Sequence, residues 1–194
     1  MTSVYLAPWR VDVVVRDTVV DAHGGRRPVA VAPLVRAIAA ALDAAGAPSP
    51  ASIGLILADD PELAALNETH LGHEGPTDVL SFPLLPPEAF PPHGGDASGE
   101  PVDGEPVGHR QAALFTGPPG QRVHLGDIVV SVERAADQAA AGRGGQTGDV
   151  RWSTADELRL LVTHGVLHIC GWDHAEPAEE QEMRALEQRL LAAG

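Results

Sequence analysis

Residues 153–174 read STADELRLLVTHGVLHICGWDH. Hydroxyl and carboxylate residues open this stretch, and Leu158, Leu161, Val162, Val166 and Leu167 then recur at helical spacing. Gly171 allows the helix to stop near Cys170. Thr154, with Glu157 three residues on, fits a capping box and makes this the clearest helix start in the chain. Such a helix carries His164 and His168 on one face, four residues apart and able to share a ligand. His174 returns six residues later, after the glycine, so the spacing His-x3-His-x2-Gly-x2-His suits a metal held by three imidazoles. Zinc is the natural metal there, although iron, nickel and copper also accept imidazole. A lone histidine on an apolar face is ordinarily a satisfied core residue; the threefold spacing is what favours a metal.

The same spacing matches the metzincin metalloproteases, with one difference. Gly165 stands directly after the first histidine, where the protease pattern has its general-base Glu. A metalloprotease-like hydrolase therefore lacks its base here. Met183, nine residues past His174 in a helical stretch, reads as a core residue rather than a Met-turn. Cys170 falls between two of the histidines, but two residues past His168 it points to a different face, which favours packing over metal contact.

Outward from this helix the chain alternates element types. Val11, Val13 and Val15 predict a strand; Val31, Leu34, Val35, Ile38 and Leu42 predict an amphipathic helix ending at Gly46. Residues 52–58 read as a buried strand, and Asp59, Asp60 and Pro61 as the start of a short helix reaching about Leu71. A strand follows over 77–82 and another over 123–132, then a helix over 133–141, the histidine helix, and a last helix over about 177–192. This order predicts one α+β (mixed α/β) domain over 1–194, a mixed sheet packed by helices with a zincin-like three-histidine site. Residues 84–122, with Pro at 86, 87, 91, 92, 101, 106, 118 and 119, read as a long Pro/Gly-rich flexible insertion.

Two further constellations carry polar residues on strands. Asp78 and Ser81 lie within Gly75-Pro76-Thr77-Asp78-Val79-Leu80-Ser81-Phe82-Pro83, and either line a cleft or form a polar strand edge. Asp127 follows Gly126, which permits close backbone approach; it reads equally as a structural hydrogen-bonder and as a functional carboxylate.

The 194 residues are 44% hydrophobic, enough for a real core, and the formal charge is −14. Taken globally that charge argues against a nucleic-acid partner. Its distribution is lopsided: no Lys occurs, and between Arg36 and Arg110 twelve acids face no basic residue, while the flanks are nearly balanced. One cysteine suits a reducing compartment, and neither a secretory leader nor a membrane-length apolar run is visible, so a cytoplasmic protein is expected.

His164-Gly165-Val166-Leu167-His168 running on to Gly171-Trp172-Asp173-His174, with the Thr77–Pro83 stretch and Leu125-Gly126-Asp127-Ile128 upstream in order, resembles the YbeY-type endoribonuclease and rRNA maturation factor family. Glu182-Met183 and Leu186-Glu187 resemble its ending, so the likeness covers the chain outside 84–122. It implies a single-strand-specific, metal-dependent endoribonuclease with one Zn2+ on His164, His168 and His174. Its partners would be single-stranded RNA, the 3′ end of small-subunit (16S) rRNA and ribosomal particles, with no membrane and no DNA. Asp173 is favoured as an orienter of a ligand imidazole over a direct catalytic role. No residue is assigned as the general base. Many members carry an Arg where Leu71 stands here, four positions after Asn67; His70, His73, Arg134 and Arg143 are the candidates to replace it. The rival from another class is a non-catalytic assembly factor in which zinc only staples the C-terminal helices.

Overall fold

Trp9, Val11 and Val13 are buried while Arg10, Asp12 and Val14 between them are only partly covered, the period of two that makes β2 (Trp9–Val15) a strand with one face on the core. It pairs antiparallel with β1 (Thr2–Leu6). The computed structural model describes residues 1–20, 25, 28–93, 122–142, 152–173 and 176–193. Helix α1 (Val31–Ala44) buries Leu34, Val35, Ile38 and Leu42 and returns the chain so that β3 (Ala51–Ala58) lies parallel to β2. After α2 (Asp60–Leu71) and β4 (Val79–Pro83) comes β5 (Val123–Ser131), parallel to β3 and antiparallel to β4. The sheet order is β1-β2-β3-β5-β4. Helices α3 (Val132–Ala141), α4 (Thr154–Ile169) and α5 (Pro177–Ala193) complete the described elements.

The mixed α+β architecture expected from the pattern is what these residues form. One large core joins α1, α4 and α5 to the sheet through Ile53, Leu55, Ile128 and Val130. Val129, adjacent in sequence and therefore on the opposite face, belongs to a second cluster with Ala58, Leu63 and Leu80 beneath α2. Met183 is 2% exposed and sits in the large core, as its place in a helical stretch predicts. Cys170 is there too, and burial pushes its thiol up to about 12. Among the described residues no helix is long and apolar enough to cross a membrane.

Three details depart from the pattern. Strand β1 was not foreseeable from alternation, because Thr2–Leu6 is an edge strand in which only Val4 is partly buried. Strand β4 begins at Val79, with Thr77 and Asp78 in the approach: the Asp78 carboxylate accepts from the Val79 N–H at 2.9 Å. The first part of the expected insertion, 84–93, is built into the fold. It forms a single 3-10 turn (Pro87–Ala89) and buries Phe90 to 6% exposure. Pro91 lies so close to Gly46, at φ 64°, that a Cβ there would stand 2.8 Å from the proline ring. The remainder, 94–121, lies outside the described residues.

Candidate metal centre

The cap of helix α4 sits one residue earlier than the sequence reading places it. Ser153, extended at φ −97° and ψ 162°, is the cap; its hydroxyl accepts from Asp156 N–H at 3.2 Å, and Asp156 accepts from Ser153 N–H at 3.0 Å. Thr154 is already helical, so the box pairs Ser153 with Asp156 and not Thr154 with Glu157. One position further round the helix, Glu157 is instead fully buried, its carboxylate accepting from the Trp152 indole.

Gly165 explains how closely α4 lies on the sheet. A Cβ there would stand 2.8 Å from Ile128 Cγ2, 3.2 Å from Ser81 Oγ and 3.3 Å from Val79 Cγ2. Position 165 thus faces the sheet and has no room for the Glu of a protease motif. Ser81 donates to the Gly165 carbonyl at 3.1 Å, which makes it a tie between β4 and α4.

Approximately one turn of helix brings the two imidazoles together. His164 Nδ1 lies 2.7 Å from Glu187 Oε1, and His168 Nδ1 lies 2.9 Å from the Trp172 carbonyl. Both partners are acceptors, so each Nδ1 carries the proton and donates it. The two Nε2 atoms face one another and meet at 3.0 Å, the rings edge to face at 80°. Two nitrogens each about 2.0–2.1 Å from one tetrahedral zinc stand about 3.3 Å apart. The pair is therefore close to what shared coordination needs, and its chemistry fits the group. His174 lies outside the described residues; among the described residues no group of three His, Cys, Asp or Glu side chains forms a metal site.

The turn after α4 is a Schellman closure: Gly171, at φ 86°, donates to the His168 carbonyl at 3.1 Å and Trp172 N–H to the Leu167 carbonyl at 3.0 Å. It brings the Trp172 carbonyl back beneath His168. Glu187, on α5, is the orienting residue that sequence reasoning missed. Asp173, favoured for such a role, has its backbone N–H on Glu179 Oε1 at 2.9 Å, and its relation to His174 lies outside the described residues.

The other candidates sit elsewhere. Asp78 accepts from Gln138 Nε2 at 3.0 Å, joining the β4 approach to α3. Asp127 lies on the sheet face away from α4, since Ile128 beside it faces Gly165. Its carboxylate presses on Gly54 and pairs with His124 Nε2 at 3.2 Å, while His124 Nδ1 meets Ser52 Oγ at 3.1 Å. Leu71 is 56% exposed at the end of α2. Of the candidates to replace the absent arginine, His70 packs edge-on against Phe82, Arg134 Nε is 3.4 Å from Asp60, and Arg143 lies outside the described residues. Asn67 is buried and holds the following loop through Gly75 O at 2.8 Å.

Fold and site define an α+β domain built around a capped helix that presents two histidines with converging Nε2 atoms. A family model described as Endoribonuclease YbeY matches residues 29–193. Endoribonuclease YbeY of Salinispora tropica is 43% identical over 154 residues, covering 79% of this chain and 80% of the relative. The proteins of the same name from Beutenbergia cavernae and Symbiobacterium thermophilum are 39% and 36% identical, covering 73% and 82% of this chain and 73% and 83% of their own lengths. The chain belongs to the Endoribonuclease YbeY family. A solution structure of TM1509 from Thermotoga maritima matches 93% of this chain and 86% of its own at 18% identity, with a TM-score of 0.48.

Proposed function

We propose that this protein is a metal-dependent endoribonuclease that cleaves single-stranded RNA and acts in the cytoplasm on the 3′ end of small-subunit rRNA in ribosomal particles. Family membership supports the RNA-cleaving class. The observation that carries the metal is the convergence of His164 and His168 Nε2 at 3.0 Å, with both Nδ1 atoms already committed to acceptors. These two histidines and His174 would hold one zinc. When bound, the metal supplies Lewis acidity, which acidifies water and offsets charge building on phosphate oxygens.

The chain's own residues prepare that site. Glu187 and the Trp172 carbonyl fix the tautomer and tilt of the two rings, so little reorganisation accompanies metal entry. Gly165 and Ser81 hold α4 flat on the sheet. The purified protein, assayed for metal and incubated with labelled single-stranded and duplex RNA, is expected to contain zinc and cut only the former. His168→Ala is expected to lose both metal and cleavage; cleavage by metal-free protein would sink the scheme.

A second reading rests on the same geometry, because the His164 to Glu187 contact also ties α4 to α5. In it zinc only staples these helices and the protein docks on ribosomal particles without cutting. Zinc-loaded protein that leaves single-stranded RNA intact would favour that reading.

A further inference from the structure

The turn between α4 and α5 is held from outside by a residue 78 positions away. His93 follows β4 and lies within the stretch that the sequence marks as an insertion. Its ring stacks on Trp172, centroids 4.2 Å apart and planes 10° from parallel. Its Nε2 donates to the Gly171 carbonyl at 2.9 Å and lies 3.3 Å from Glu179 Oε1. Glu179 in turn accepts from the Asp173 N–H at 2.9 Å. Three consecutive residues, Gly171, Trp172 and Asp173, are therefore gripped by one imidazole and one carboxylate.

What these residues do makes the grip consequential. Gly171 takes the left-handed turn, the Trp172 carbonyl orients His168, and Asp173 leads directly into His174. An aliphatic side chain at 93 would cover Trp172 equally well. A flat face and an N–H aimed at the turn's carbonyl are what an imidazole adds. The segment stays close by: Pro87 lies 3.2 Å from where a Cβ of Gly171 would be.

We propose that His93 is a positioning residue for the metal centre, fixing the turn that orients His168. This rests on the reading of the histidines as metal ligands. Zinc affinity of the full-length protein, measured by competition with a chromogenic chelator, tests it, alongside the melting temperature of the metal-stripped protein. His93→Ala is expected to weaken zinc binding about 10-fold, the low end of the loss seen when a group bonded directly to a ligand is removed, because His93 acts on His168 only through the turn. The metal-stripped melting temperature should stay near that of the wild type. His93→Gln, whose amide can donate to Gly171, should recover part of the affinity and keeps the test open if the alanine variant folds poorly. Glu179→Ala should be non-additive with His93→Ala. Zinc binding by wild type, its loss in His168→Ala and its retention at wild-type strength in His93→Ala would overturn this proposal alone. Failure of the wild type to take up zinc would overturn the metal reading and this proposal with it.

Discussion

Glu187 and the Trp172 carbonyl perform the same task for different histidines, each accepting a hydrogen bond from Nδ1–H and so turning Nε2 toward the other ring. Removing the carboxylate should release the His164 ring without disturbing the α4 cap. Glu187→Ala is expected to weaken zinc binding about 10- to 100-fold in chelator competition; unchanged affinity would show that His164 is oriented by packing alone. The two histidines of this pair are legible in the sequence because positions four apart in a helix share a face. Glu187 is not, because α5 also carries Glu179, Glu180 and Glu182, and only the packing of α5 on α4 selects the one that reaches His164. Cys170 shows the reverse: its offset from His168 already places it off the ligand face, and it lies fully buried in the core.

Helix α4 is specified locally at its ends and tertiarily in its middle. Its cap and its glycine stop follow from neighbouring residues, although the box uses Ser153 and Asp156 because Glu157 is drawn into the core by Trp152. Gly165 looks from sequence like a helix-weakening residue, yet Ile128, Ser81 and Val79 occupy the space of its missing Cβ. Overpacking costs about 1–3 kcal/mol and the helix gain of Gly→Ala recovers at most about 1 kcal/mol. Gly165→Ala is therefore expected to lower stability by about 1 kcal/mol, seen as an earlier denaturation midpoint at unchanged slope. A more stable variant would show that α4 can move off the sheet without loss. The same dependence on distant elements hides β1 and the packed segment 84–93, whose Pro-rich composition reads as loop while Phe90 and His93 dock on other elements.

For the molecule as a whole, the charge of −14 bears on how RNA is met. Described arginines are largely turned to carboxylates: Arg10 to Asp12, Arg16 to Glu62, Arg134 to Asp60, Arg159 to Asp156 and Arg184 to Glu180. These carboxylates raise the Arg10 and Arg16 guanidinium groups further above their ordinary range. Binding to arbitrary single-stranded RNA is accordingly expected to be weak, with a log–log salt slope shallower than about −2, since each phosphate neutralised contributes about −0.7. Tight binding with a steep slope in a filter assay would contradict this and point to a basic surface formed by other arginines. The sequence by itself determined the order of most elements, the histidine helix and the family, because periodicity, caps and ligand spacing act over a few neighbouring residues. Which carboxylate orients His164, why position 165 must be glycine, and how His93 reaches the Gly171 turn were decided only by tertiary structure. Each depends on side chains brought together by the packing of α4 against elements that lie tens of residues away in the chain.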